Sequence, residues 1–108
     1  MNVGRFDEAL ADYSHTIELD ETYANAFGGR GLIYYLMENY ESAITELVRA
    51  TELEPQNSIF YQLLGKAYDK LQQYDNALEA YKHYLELIGD NVDQSIVDRI
   101  QQLETFTP

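Results

Sequence analysis

Apolar and small residues recur along this chain at helical spacing. Phe27, Gly31 and Tyr34 stand at i, i+4 and i+7 and share one helix face. After a polar break at Glu38-Asn39, Ala43, Leu47 and Ala50 repeat that spacing. The pattern predicts two helices joined by a short turn. Asn39 is the expected N-cap of the second helix, and Pro55 stands where the chain leaves it.

The helix pair recurs every 34 residues. Gly31 and Gly65 are that far apart, as are Phe27 and Tyr61, Tyr34 and Tyr68, and Ala43 and Ala77. The register also runs backwards, through Phe6, Tyr40 and Tyr74, through Ala9, Ala43 and Ala77, and through Leu19, Leu53 and Leu87. The equivalents of Pro55 are Glu21 and Gly89, so that turn is not uniform. Gly31, Gly65, Ala43 and Ala77 let the helices approach, while Tyr34, Tyr68, Leu47 and Tyr81 are expected to fill the space between units. One unit cannot cover its own apolar face, whereas stacked units form a solenoid.

The units resemble tetratricopeptide repeats, whose pattern is W-x2-L-G-x2-Y, then A-x3-F, then P. Here it reads Phe27-x2-Arg30-Gly31-x2-Tyr34, Ala43-x3-Leu47, Pro55, and next Tyr61-x2-Leu64-Gly65-x2-Tyr68, Ala77-x3-Tyr81, Gly89. The resemblance implies one all-α domain over 1–108, a short right-handed solenoid of about six stacked antiparallel helices. Residues 24–57 and 58–91 are whole repeats, 3–23 the second helix of an incomplete repeat, and 92–103 a closing helix. Arg30 replaces the usual Leu and needs a partner at a half-buried position. Asp12 on the preceding helix is the expected one. The alternative is an Arg30 whose stem packs while its head reaches water.

In that family the first helices line a concave groove that holds a peptide. By register, the groove comprises Asn25, Gly28, Gly29, Leu32, Tyr35 and Leu36, then Ile59, Gln62, Lys66, Asp69 and Lys70. The closing helix adds Asp93, Ile96 and Val97. Some members grip a C-terminal carboxylate with basic residues on successive first helices. Ile59 and Leu63 stand at those places here, so that grip does not carry over. The resemblance thus implies a scaffold or adaptor that binds a protein or peptide. Phe6, Ala9, Leu10, Tyr13 and Ile17 lack a covering first helix and form an apolar patch. Three readings of it stand: homodimerisation through this helix, a chain cut from a longer array, or fraying, with the first two favoured.

Charge narrows the partners. Seven Lys and Arg face 19 Asp and Glu, a net charge of −12, which repels nucleic acid and anionic membrane alike. The same acidity also serves plain solubility. No apolar run is long enough to span a bilayer and no signal peptide is visible, so the expected location is cytoplasmic. The absence of Cys fits that location and removes thiol chemistry and zinc-thiolate sites.

No catalytic constellation appears, and neither an enzymatic activity, a cofactor nor a metal site is expected. His15 and His83, two repeat lengths apart, are read as exposed on the outer side. Gly28-Gly29-Arg30-Gly31 lies within a helix and reads as close packing, ahead of phosphate binding. Asp90-Asn91-Val92-Asp93 departs from calcium-loop spacing and reads as a turn and an N-cap.

Overall fold

The computed structural model of the chain describes residues 3–91 and 93–106. Val92, first in the expected closing segment 92–103, lies outside them. The described residues form α1 (Val3–Leu19), α2 (Ala24–Leu36), α3 (Tyr40–Leu53), α4 (Ser58–Lys70), α5 (Tyr74–Ile88) and α6 (Gln94–Glu104), with no strand. Each helix packs on the next, and α2 also meets α4. The chain is an all-α solenoid of helix pairs, 41 Å long and 27 by 22 Å across. Among the described residues, no helix is long and apolar enough to cross a membrane.

The helix ends have local causes. Asn39 caps α3 by accepting from the Ser42 amide at 3.4 Å, and Asp93 caps α6 by accepting from the Ser95 amide at 3.1 Å. Asn57 caps α4 in the same way through Ile59. The ends of α2 and α4 match. Glu38 and Gln72, one repeat apart, take left-handed φ values of 64° and 61°. Beside them the Asn39 amide donates to the Tyr34 carbonyl at 2.8 Å, and the Gln73 amide to the Tyr68 carbonyl at 3.0 Å. This closure turns the chain sharply into the second helix. At the end of α5 the stop is Gly89, with a φ of 62° that a side chain would strain.

Two apolar clusters stack along the solenoid. The first joins Ala24, Ala43, Leu47, Ala50, Phe60, Leu64 and Ala80, and the second Ala77, Tyr81, Ile96, Ile100 and Leu103, with Tyr68 packed on both. Small residues set the approach within each pair. A Cβ on Gly31 would meet Leu47 Cγ at 2.9 Å, and one on Gly65 would meet Tyr81 Cδ1 at 2.5 Å. Only glycine allows these contacts without displacing a buried side chain.

Arg30 pairs elsewhere than expected. Its Nε and Nη2 reach Glu46 Oε2 at 2.8 and 2.7 Å, and Nη1 donates to Ser14 Oγ at 3.2 Å. Asp12 is exposed and takes no part. The reason lies in the facing of the helices. Glu46 on a second helix looks at the first helix of its own repeat, and one repeat later Ala80 and Leu64 line one crevice between their helices. Asp12 shares the register of Glu46, so it does not face the following repeat.

Candidate functional site

The face built by the first helices centres on α4. Lys66, Asp69 and Lys70 stand at i, i+3 and i+4 and therefore project together. With Tyr35 of α2, Tyr81 of α5 and Arg99 of α6 they line a crevice of about 280 Å³. Three of the seven Lys and Arg of an acidic chain thus gather at one place.

Asp69 organises the floor. Arg99 donates to it twice, from Nε to Oδ2 at 2.7 Å and from Nη2 to Oδ1 at 2.5 Å, while its Nη1 reaches Gln102 Oε1 at 2.9 Å. The Tyr81 hydroxyl donates to Asp69 Oδ2 at 3.4 Å. Burial, and then the neighbouring Asp69 charge, push the Tyr81 phenol up. The hydrogen bonds to Asp69 raise Arg99 further. Asp69 is balanced by Arg99, so Lys66 and Lys70 supply the excess positive charge of the crevice. Asp93 is held below its usual range, first by the Ser95 hydroxyl and in smaller part by the charge of Lys66.

Of the groove residues expected from register, Tyr35, Lys66, Asp69 and Lys70 meet in this crevice. Leu32, Leu36 and Ile59 are exposed, as is Asn25, and Gln62 is half-buried. Leu32 and Leu36 hold on α2 the register that Lys66 and Lys70 hold on α4, so the face changes from apolar to basic along the stack. Gly28 is buried under the Phe60 ring and Gly29 lies against the Tyr13 ring, which places both in helix packing. Ile96 is buried in the second cluster, and Asp93 and Val97 are half-buried. On α1, Phe6, Ala9, Leu10, Tyr13 and Ile17 are half-buried, and α1 packs on α2 alone among the described helices.

Sequence reasoning missed Arg99 and Tyr81 at this site. The signal for Arg99 was the register itself, since Gly31, Gly65 and Arg99 are equivalent positions. Where α3 and α5 press on the glycines of α2 and α4, no described helix presses on α6 at Arg99. That position has room for a guanidinium.

Residues 31–72 match the family described as TPR repeat, and residues 59–91 the one described as Tetratricopeptide repeat. The chain belongs to the tetratricopeptide-repeat (TPR) family. This TPR chain is 33% identical over 91 residues to the small glutamine-rich tetratricopeptide repeat-containing protein of Dictyostelium discoideum, covering 84% of this chain and 27% of that protein. It is 38% identical over 64 residues to neutrophil cytosol factor 2 of Bos taurus, covering 58% and 12%. The chain therefore spans about a quarter or less of these curated relatives. Among solved structures it is similar to MamA, with a TM-score of 0.74 at 28% identity over 79% of this chain and 50% of that one. It is also similar to the first TPR of Spaghetti (RPAP3) bound to the HSP90 peptide SRMEEVD. That likeness has a TM-score of 0.85 at 20% identity, over 94% and 79% of the two chains, and shows the fold alone.

Proposed function

We propose that the chain is a protein-interaction module, a scaffold or adaptor without chemistry of its own, which takes up a protein segment on its first-helix face. The observation that carries this reading is the crevice joining Tyr35 to Lys66, Lys70 and Arg99. An apolar anchor fits against Leu32, Leu36 and Tyr35, and acidic groups beyond it fit against Lys66 and Lys70. The structurally similar Spaghetti domain is bound to a peptide, which supports a peptide or protein segment as the partner. The net charge of −12 supports a protein partner over nucleic acid or an anionic membrane.

The test is selection of a displayed random-peptide library on the chain, followed by affinity measurement on a Leu32→Ala/Tyr35→Ala variant. Selected peptides should combine an apolar residue with acidic ones and lose about tenfold or more in affinity, the loss of one anchor. Peptides that bind the variant equally well place the site elsewhere.

A second reading rests on α1. Its Phe6, Leu10, Tyr13 and Ile17 are only half-covered, and Leu19 at its end is 75% exposed. Self-association through this helix would bury them. Light scattering over a wide concentration range distinguishes the two, since a dimer that persists on dilution favours the second reading.

A further inference from the structure

α4 and α5 enclose a second crevice, also of about 280 Å³, on the far side of α4 from the first. Residues 61, 64 and 68 share one helical face, and 66, 69 and 70 the opposite one. Leu64 and Ala80, both buried, form its floor. Tyr61 and Tyr68 form aromatic walls, and Glu79 and His83 stand exposed at its rim. His83 stacks on Tyr61 with ring centres 4.1 Å apart and planes within 6°. α6 packs against α5 at Ala77 and Tyr81 and contributes no residue to the lining of this crevice.

One repeat earlier the same place is full. Tyr61, Leu64, Ala80 and His83 correspond to Phe27, Arg30, Glu46 and Arg49. There the Arg30 guanidinium carbon lies 5.8 Å from the Phe27 ring centre and that of Arg49 lies 5.9 Å from the same ring. Arg30 is held in place by Glu46 and Ser14. The second repeat keeps the aromatic ring and, in His83, a flat partner stacked on it. It replaces Arg30 by Leu64 and Glu46 by Ala80, and a hollow remains.

We propose that this crevice seats an arginine side chain presented by a basic segment of a partner protein. The first repeat shows which group fits an aromatic wall at this register, a planar guanidinium. Glu79 at the rim makes no ion pair among the described residues and supplies the carboxylate that Ala80 does not. The net charge of −12 draws a basic segment to the surface. Arginine suits the seat better than lysine, because its flat, weakly hydrated head stacks on a ring while donating in plane to a carboxylate. This site is independent of the first-helix face, so the chain would hold two segments of opposite charge on opposite sides of α4.

The experiment is an NMR titration with N-acetyl-arginine N-methylamide, following the ring signals of Tyr61, Tyr68 and His83. The lysine and leucine analogues serve as comparisons. Saturable shifts at these rings, strongest with arginine, are expected. Glu79→Gln should weaken the response about three- to fivefold, the scale of one exposed charge pair. Leu64→Arg/Ala80→Glu, which copies the Arg30–Glu46 pair, should abolish it. Should that double variant not fold, Glu79→Gln alone decides. Shifts as strong with the leucine analogue, no saturable shift, or an unchanged response in a folded variant would overturn the proposal.

Discussion

Arg99 holds Asp69 through the Nε and Nη2 edge of its guanidinium and so ties α6 to α4 across the intervening α5. Both side chains are largely shielded, with 32% and 17% exposure. Paired, charge-assisted bonds of this kind exceed a surface ion pair in value. Arg99→Ala is expected to lower stability by about 1–2 kcal/mol and to speed amide exchange in α6 first. Arg99→Lys should recover less than half, since a lysine cannot make both bonds. Lys82 and Glu104, 3.8 Å apart and half exposed, form the control. Lys82→Ala should change stability by less than about 0.5 kcal/mol. Urea unfolding of the three variants checks the ranking, and equal losses for Arg99→Ala and Lys82→Ala would refute it.

The Arg30–Glu46 pair leads to a second prediction, because the next repeat shows its apolar replacement. Glu46→Ala leaves a shielded guanidinium with the Ser14 hydroxyl and the Phe27 ring but no counter-charge, and should cost about 2–3 kcal/mol. Arg30→Leu/Glu46→Ala copies the buried Leu64 and Ala80 that stand at these places one repeat later and should restore most of that loss. Asp12→Ala should leave the melting curve unchanged, since Asp12 is exposed. A double variant as unstable as Glu46→Ala would show that the first repeat cannot accept the apolar arrangement.

What the sequence reveals and conceals follows from what a register means. Periodicity identifies equivalent residues, and so the helix pairs and the small residues at their close approach, Gly31, Gly65, Ala43 and Ala77, are legible in the residue spacing, whereas Leu47 and Tyr81, expected between units, press on the glycines of their own repeats. Equivalence does not say which neighbour a side chain faces. That is why Asp12, one repeat before Glu46, misled as a partner for Arg30. Gly28 falls at groove register yet is buried, because the large Phe60 ring of the next first helix closes over it. Arg99 lies beyond the two full repeats, and its pairing with Asp69 depends on the angle at which α6 packs. Tyr35, Lys66, Asp69 and Lys70 meet because α2 and α4 run side by side in the stack.

Glu38 and Gln72 carry side chains in a backbone region that favours glycine. A left-handed conformation costs an ordinary residue about 1–2 kcal/mol relative to glycine. Glycine returns part of this as added freedom of the unfolded chain, about 0.4–1 kcal/mol. Glu38→Gly and Gln72→Gly should therefore each stabilise the fold by roughly 0.5–1 kcal/mol, and their effects should add, because the turns belong to different repeats. Gln72→Val should destabilise, since a β-branched residue tolerates this φ poorly. Thermal unfolding of the single and double variants checks both directions, and a destabilised Gln72→Gly would mean that its side chain contributes more than the strain costs.

Tyr81 makes the alkaline limit of stability testable. Burial and the nearby Asp69 carboxylate hold its phenol above the ordinary value of 10.0. Above that pH the unfolded chain gives up this proton while the folded chain keeps it. The folded state then binds more protons, and stability falls as pH rises. The contribution is fully present below pH 10 and is lost progressively above it. Tyr81→Phe keeps the ring that packs on Gly65 and removes the titrating group. The variant should lose less stability than the parent between about pH 9 and about pH 11.5. At neutral pH it should differ from the parent only by one weak, partly buried hydrogen bond to Asp69, about 1 kcal/mol. Urea midpoints at a series of pH values separate the two effects, and parallel curves for parent and variant would mean that Tyr81 ionises in the folded chain as freely as in the unfolded one.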